Sequence, residues 1–307
     1  MSDFKVSIVI PVFNAAAYVE EAVESAISLP ETGEILLIDD GSTDNSLDVC
    51  KKLSEIHNNV FLYQHPGVKN LGAAASRNLG IQKAKYDYIS FLDADDYYLS
   101  NRFSADKEIF LTRPEADGVY GCNLAIFEDE RARQKFLSRY PGEKTTLTEM
   151  ISPDKLFKAL LYGGYGRFHT SAITLHKRAF EKSGFFNTKI RYVEDTELWL
   201  KLSIKTKLYP GSIDNPVSIR RVHDTNSIHQ IQKVDEYTKI MYQQLFDWAL
   251  KQNFSFEIKN DFFIALHRFV SGENSNPRKY FWSNVKRNPL PFISLFGIKK
   301  IHQLYFK

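Results

Sequence analysis

The first half of the chain alternates short apolar runs with helix-like segments, and this alternation limits the fold more than any other feature. Five runs are strand-like: VSIVIPV (6–12), EILLIDD (34–40), VFLYQH (60–65), DYISFLD (87–93) and DGVYGCNLAIF (117–127). Between the first two, AAYVEEAVESAISL repeats its apolar residues at helical spacing. Strands separated by helices in this way predict right-handed crossovers and an α/β fold with a mostly parallel central sheet flanked by helices.

Acidic residues gather where these strand-like runs end. Asp39 and Asp40 close the second run, while Asp93, Asp95 and Asp96 follow the apolar part of the fourth. Aspartate is a common turn former, which is one explanation for them. The other is a ligand site, because open parallel sheets bind ligands beside the carboxyl ends of their strands. A divalent cation bound by these carboxylates would make so much negative charge tolerable there.

The composition argues against several classes of protein. The 307 residues carry a formal net charge of +3, which predicts no nucleic-acid partner. Two cysteines, Cys50 and Cys122, are too few for a disulfide framework and favour a reducing setting. The first residues lack the features of a signal peptide, and no apolar run approaches the roughly 20 residues of a membrane span. We therefore expect a cytoplasmic protein, either soluble or peripheral on the inner face of the plasma membrane.

Four stretches occur along the chain in a characteristic order: VSIVIPVFNAAAYVEEAVESAI, EILLIDDGSTDNS, NLGAAASRNLGIQKAKYDYISFLDADD and YVEDTELWLKL. Together they resemble the motifs of family 2 glycosyltransferases, over about residues 5–225. The resemblance implies the GT-A type, Rossmann-like fold that binds nucleotide-sugars. It also implies a catalytic domain over residues 1–225, which leaves residues 226–307 as a helical C-terminal extension.

The resemblance gives the acidic cluster a function. Asp93-Ala94-Asp95 is similar to the family's Asp-x-Asp motif, which implies that Asp95 binds Mn²⁺ or Mg²⁺ and that Asp93 lies near the ribose and the metal. Asp96 could support either residue. Such a cation neutralises the phosphates of a nucleoside diphosphate sugar. Similarity to the family also suggests that His223 approaches the metal or the diphosphate, although a lone histidine is more often structural.

The resemblance places the donor, a UDP-sugar, at the ends of the first four strands. Asp39 would accept a hydrogen bond from the uracil ring N–H, and Arg77 would offer its planar guanidinium to the nucleotide. Asp39 could instead be a turn residue, and Arg77 could form a surface salt bridge. Either Arg220 or Arg221 could also meet phosphate. The predicted nucleotide-sugar contacts are Pro11, Val12, Phe13, Asn14, Asp39, Arg77, Asp93 and Ala94.

Glu194 and Asp195 match the family's catalytic acidic pair. Transfer to an alcohol needs a base that takes the hydroxyl proton, and we assign this role to Asp195, with Glu194 orienting or touching the acceptor. Two acids at the start of a helix also favour its dipole, which is compatible with that role. Gly163-Gly164 and residues 168–171 could line the acceptor side or only form a turn.

The expected reaction is the metal-dependent, inverting transfer of a single sugar from a UDP-sugar to an acceptor hydroxyl. The sequence lacks the Gln-x-x-Arg-Trp motif of processive synthases after the acidic pair, which favours a single addition. By analogy, the acceptor is a glycan or lipid-linked glycan in bacterial surface polysaccharide biosynthesis, such as capsule or O-antigen. The alternatives are a sugar-phosphate nucleotidyltransferase and a non-catalytic nucleotide-sugar-binding protein. The first alternative should show a glycine-rich, basic loop after the first strand, and PVFNAAAYVEE is neither.

The C-terminal part is basic and aromatic. Residues 226–307 contain 12 Lys/Arg against 6 Asp/Glu, and the last thirty residues hold seven basic residues, seven aromatic residues and no acid. Such a tail could bind a membrane surface that carries a lipid-linked acceptor. It could equally pack on the catalytic domain as a helical cap or form a homodimer contact.

Overall fold

The computed structural model describes residues 4–67, 69–138, 140, 142–163, 166–223 and 230–271. The chain divides into two compact units, residues 1–230 and residues 231–307. The predicted domain boundary after residue 225 stays a prediction, and the basic aromatic tail lies outside the described residues. Every helix among the described residues is too short or too polar to cross a bilayer.

The first unit is built on two sheets. The described strands are β1 (Val6–Val12), β2 (Thr32–Asp39), β3 (Val60–Gln64), β4 (Tyr88–Phe91), β5 (Tyr97–Tyr98), β6 (Gly118–Tyr120), β7 (Cys122–Phe127), β8 (Lys144–Thr145), β9 (Ile173–His176), β10 (Leu208–Pro210) and β11 (Pro216–Val222). The main sheet has the order β10-β6-β9-β4-β1-β2-β3. All of its strands run in one direction except β9, which is antiparallel to both neighbours. The predicted mostly parallel sheet is therefore confirmed.

Helices cover this sheet. The described helices of the first unit are α1 (Val19–Ile27), α2 (Ser46–Ile56), α3 (Ala73–Lys83), α4 (Ser104–Thr112), α5 (Glu130–Leu137), α6 (Pro153–Tyr162), α7 (Arg178–Ser183) and α8 (Glu194–Lys205). A 3₁₀ turn, Thr170–Ala172, precedes β9. The second unit contains α9 (Ile231–Lys251) and α10 (Phe256–Ser271), which pack against each other.

The smaller sheet has the order β5-β11-β7-β8, and it divides the fifth strand-like run of the sequence. That run was predicted as one strand, but it forms β6 in the main sheet and β7 in the smaller one. The break falls at Gly121, whose N–H donates to the carbonyl of Ala172 at 2.7 Å. A Cβ at Gly121 would lie only 3.1 Å from the carbonyl oxygen of Ser212, so a side chain is disfavoured at this crossing.

The main sheet is buried on both faces, which explains why its strands read as continuous apolar runs. Ile8, Ile10, Ile35 and Leu37 are fully buried in β1 and β2. Helix α3 crosses β1 so closely that a Cβ at Gly80 would lie 2.2 Å from Cγ1 of Val9. Its small residues thus set the distance between α3 and the sheet.

A buried polar cluster joins β4, β9 and α4. Arg102, which is 1% exposed, donates to the carboxylate of Asp106 at 2.8 Å and to the hydroxyl of Ser90 at 2.7 Å. It also donates to the carbonyls of Ser171 and Ile173, at 3.1 and 2.9 Å. This guanidinium therefore fixes the segment before β9 against the end of β4.

Candidate active site

The acidic cluster lies at the carboxyl edge of the main sheet, as predicted. Leu92 still pairs with β1, since its N–H donates to the carbonyl of Val9 at 3.0 Å. The chain then turns, and the N–H of Asp96 donates to the carbonyl of Asp93 at 3.0 Å. This turn leaves the side chains of Asp93 and Asp95 partly exposed, at 28% and 27%.

Asp96, by contrast, is buried and anchors the turn. Its two carboxylate oxygens accept hydrogen bonds from the hydroxyl of Ser171 at 3.0 Å and from the N–H of Arg221 at 3.1 Å. Burial, together with the charges of Asp95 and Asp93, raises the pKa of Asp96 well above its usual range. Asp96 therefore holds β11 and the 3₁₀ turn before β9 to the cluster.

Asp95 pairs with His223, which lies just after β11. The Nε2 atom of His223 is 3.1 Å from Oδ2 of Asp95, and this contact raises the pKa of the imidazole. The ring of Tyr18 stacks on His223 with a centroid distance of 5.4 Å. Arg221 donates to Glu21 at 2.7 Å and to the carbonyl of Asp95 at 3.3 Å, so part of its guanidinium is already used in contacts within the protein.

Arg77 links the acidic cluster to the predicted catalytic acids, Glu194 and Asp195. It lies on α3, is 5% exposed, and donates to Asp93 at 2.7 Å and to Glu194 at 2.8 Å. Its guanidinium also lies 5.5 Å from the ring centroid of Phe186. Burial would raise the pKa of Asp93, but the charge and hydrogen bond of Arg77, together with the charges of His169 and Arg220, outweigh burial and lower that pKa. The guanidinium of Arg77 thus orients carboxylates from both halves of the site.

Glu194 and Asp195 begin α8, directly after a residue whose backbone has the left-handed helical conformation. Val193 has φ +57°, a conformation that is uncommon for a β-branched residue and is found in tight turns and at functional sites. Burial and the nearby charge of Asp195 raise the pKa of Glu194 to about 7, against the opposing effect of Arg77. One oxygen of Asp195 accepts from the N–H of Thr196 and from its hydroxyl, the latter at 3.2 Å.

The predicted nucleotide contacts occupy the ends of β1 and β2. Asp39 is 1% exposed, and its carboxylate accepts from the side-chain amide of Gln64 at 2.8 Å and from the N–H of Ser42 at 3.3 Å. The ring of Phe13 is 47% exposed, and Asn14 has φ +52°. Pro11 and Val12 close β1, and Ala94 is buried within the acidic turn.

His169 lies beside the acidic cluster, although its segment was predicted only to line an acceptor or form a turn. Its Nδ1 atom accepts a hydrogen bond from the N–H of Ser171 at 3.2 Å. Its Nε2 atom is 3.9 Å from Oδ2 of Asp93, and Nδ1 is 3.8 Å from Oδ2 of Asp96. Burial and the charge of Arg220 lower the pKa of this imidazole to about 4.

Sequence reasoning missed Gln64 and Tyr18, and it located Asp40 without giving it a partner. Gln64 ends β3 at the same edge as Asp39, so the strand-end rule that located the aspartates could have found it. Asp40 accepts from the N–H groups of Leu71 and Gly72, both at 2.8 Å, and thereby fixes the start of α3. No sequence signal pointed to Tyr18.

The donor groups of this cluster fit a hard divalent cation. Asp93, Asp96 and His169 each place one atom within 4.8 Å of the others. However, Asp96 already accepts two hydrogen bonds and Nδ1 of His169 accepts one, which makes both poor ligands. The partly exposed carboxylates of Asp93 and Asp95 supply the oxygen ligands that Mg²⁺ and Mn²⁺ prefer. These two residues would hold the ion, beside the ring of His223.

Comparison with known proteins points to one family. The sequence model described as "Glycosyl transferase family 2" matches residues 7–184. The chain is 28% identical over 238 residues to an uncharacterized glycosyltransferase of Rickettsia typhi, a match that covers 76% of this chain and 69% of that protein. It is 26% identical over 280 residues to the poly(ribitol-phosphate) beta-glucosyltransferase of Bacillus spizizenii, covering 84% of this chain and 42% of that protein.

A solved structure shares the fold. The crystal structure of S. aureus TarS in complex with UDP-GlcNAc superposes with a TM-score of 0.63 at 15% identity. The match covers 87% of this chain and 71% of that chain. Together with the family match, it confirms the predicted GT-A type architecture.

Proposed function

Because the chain belongs to glycosyl transferase family 2, we propose that it transfers a single sugar from a UDP-sugar to an acceptor hydroxyl, with inversion at the anomeric carbon. One observation carries this proposal: at one edge of the sheet, the Arg77 guanidinium joins Asp93 of the acidic cluster to Glu194 of the catalytic acidic pair. Sugar transfer from a nucleotide needs these two kinds of group side by side. Family membership argues against the nucleotidyltransferase alternative, and the presence of both acidic groups argues against a non-catalytic binding protein.

The donor would lie across the carboxyl ends of β1, β2 and β4. A carboxylate has about four acceptor positions, so Asp39 can accept the uracil N–H in addition to its two present hydrogen bonds. The exposed ring of Phe13 offers an apolar surface beside it. A Mn²⁺ or Mg²⁺ ion, when bound by Asp95 and Asp93, would neutralise the diphosphate and stabilise the charge that develops on departing UDP.

Asp195 is proposed as the base. It takes the proton of the acceptor hydroxyl while that oxygen attacks the anomeric carbon. The new C–O bond forms on the face opposite UDP as the bond to the diphosphate oxygen breaks, so configuration inverts and UDP leaves with the electron pair. Glu194, which accepts a hydrogen bond from Arg77, is proposed to orient the acceptor.

The acceptor is proposed to be a bacterial surface glycan or a lipid-linked glycan. The name of the Bacillus spizizenii relative, a poly(ribitol-phosphate) glucosyltransferase, supports a surface polymer. Residues 1–225 would supply catalysis and residues 226–307 an extension. The cytoplasmic location, the membrane contact of the tail and the homodimer stay predictions.

Replacing Asp95 with alanine is expected to weaken cation-dependent binding of UDP by about 10- to 100-fold, since even supporting residues of metal sites have effects of that size. Calorimetric titration of UDP in Mn²⁺ and in EDTA measures the effect, and both proteins should bind equally weakly in EDTA. Asp87→Ala is the matched control, because Asp87 is exposed and precedes β4 at its other end. Undiminished Mn²⁺ dependence in Asp95→Ala would contradict the metal assignment.

Replacing Arg220 with glutamine is expected to weaken UDP binding by about 10- to 100-fold, the range for lost charge-assisted hydrogen bonds. The charge of Arg220 acts on Asp93 and His169, yet it forms no ion pair with any described residue, which leaves it available to a diphosphate. Titration with UDP in Mn²⁺ measures this affinity. Arg133→Gln, which removes a 44%-exposed arginine on α5, is the control, and equal affinities for the two variants would reject the assignment.

A further inference from the structure

The imidazole ring of His169 carries an N–H group on the side of Asp93, which lies in the proposed nucleotide-sugar site. We propose that the Nε2–H group of His169 binds a hydroxyl of the transferring sugar and helps to select that sugar. The inference rests on the proposed function, since it assumes a nucleotide-sugar in this site. It concerns a residue that the sequence motifs leave without a role.

The tautomer of His169 follows from its backbone contact. A backbone N–H can only donate, so the bond from Ser171 requires a lone pair on Nδ1. The neutral ring must then carry its proton on Nε2. Such an Nε2 cannot bind a cation, which argues against His169 as a metal ligand.

The Nε2–H group lacks a close acceptor among the described residues. Oδ2 of Asp93 is 3.9 Å away, beyond hydrogen-bonding distance, although the His169 side chain is only 9% exposed. An N–H group that has no acceptor among the described residues and is not fully enclosed by them can bind a ligand atom at this position. One hydroxyl oxygen within about 2.8 Å of both atoms could accept from Nε2–H and donate to Asp93, which matches the chemistry of a sugar hydroxyl.

The position of His169 agrees with the path of the sugar. In a single displacement, the sugar lies between the leaving diphosphate and the attacking hydroxyl. The charges of Asp93 and Arg220, on the diphosphate side, act on this ring, and so does the charge of Asp195, the proposed base. His169 therefore lies within range of charged groups on both sides of the proposed reaction, where a sugar ring could reach it.

Two substitutions test the roles of the two ring nitrogens of His169 separately. His169→Asn keeps an acceptor near Nδ1 for the N–H of Ser171 but removes the donor at Nε2. His169→Gln places an amide N–H near the Nε2 position. The full-length variants are first compared with the wild type by thermal melting and by UDP titration in Mn²⁺, where affinities should agree within about twofold because UDP carries no sugar to be transferred.

The test measures UDP release from UDP-glucose, UDP-galactose and UDP-N-acetylglucosamine, and then from each monodeoxy form of the sugar that the wild type uses best. In the wild type, one deoxy form should lose about 10- to 100-fold in kcat/KM, the scale of lost hydrogen bonds to His169 and to the charged Asp93. In His169→Asn that penalty should shrink, since the natural sugar has already lost its contact with Nε2 and keeps only its bond to Asp93, and His169→Gln should restore part of the difference.

Three outcomes would count against the inference. Identical deoxy penalties in the wild type and in His169→Asn would overturn it, as the ring would then not contact the sugar. A loss of Mn²⁺-dependent UDP affinity in His169→Asn as large as in Asp95→Ala would also overturn it, in favour of a metal ligand. A wild-type protein that binds no UDP in Mn²⁺ would instead reject the proposed function itself, and the inference with it.

Discussion

Replacing Asp195 with asparagine is expected to slow sugar transfer by roughly 10²- to 10⁴-fold, the usual contribution of a general base. Asparagine keeps the size of the side chain and can still accept the hydrogen bonds from Thr196, but it cannot take a proton. Binding of the nucleotide-sugar should survive, because Arg77 contacts Glu194 and Asp93 and not the substituted side chain of Asp195. Transfer is measured as UDP release with acceptor present, and UDP affinity is measured by titration.

The separation of rate from affinity makes this prediction specific. Asp48→Asn, which changes a 70%-exposed carboxylate on α2, should retain full rate and affinity. Turnover at the wild-type rate in Asp195→Asn would reject the base assignment. A parallel loss of UDP affinity would show instead that the substitution disturbs the donor site.

Replacing Arg102 with leucine is expected to destabilise the protein by about 3–5 kcal/mol, the cost of breaking a buried ion pair on one side. The substitution strands the carboxylate of Asp106, which is 3% exposed, and removes the donor to the carbonyls of Ser171 and Ile173. Urea denaturation followed by circular dichroism measures the free energy of unfolding. Lys107 follows Asp106 in the sequence and forms a surface ion pair with Glu31. Lys107→Leu, which breaks that pair, should cost less than about 1 kcal/mol.

A second substitution tests the physical reason. The double variant Arg102→Leu/Asp106→Leu removes the stranded charge and should recover part of the lost stability, because a buried pair replaced by apolar groups is often neutral. If the double variant were less stable than Arg102→Leu by a further few kcal/mol, the stranded carboxylate would not be the cause.

Much of the fold and the position of the site could be predicted because they depend on local patterns. Apolar runs separated by amphipathic helices indicate a parallel sheet, and the strand-end rule then places Asp39, Asp93 and Asp95 at one edge. The family motifs added Glu194 and Asp195 as the catalytic acidic pair of the same site. Each of these inferences needs only neighbours in sequence and one general rule of topology.

The remaining features depend on contacts between distant residues, which no local pattern encodes. The division at Gly121 follows from its approach to Ser212, far along the chain. The partners of Arg77 come from α8 and from the turn after β4, so its charge pairing could not be deduced from its own helix. The position of His169 depends on the reversed strand that follows it.

The reversed direction of β9 has a consequence for how this enzyme could change its substrates. A strand that runs against its neighbours brings the residues before it, rather than those after it, to the carboxyl edge. Residues 168–172 therefore reach the acidic cluster on a segment separate from the βα loops of β1, β2 and β4. Changes at His169 can therefore alter contacts on this side while the loops proposed to hold the nucleotide stay unaltered, whereas Ser171, which binds Asp96 and Arg102, has to be retained.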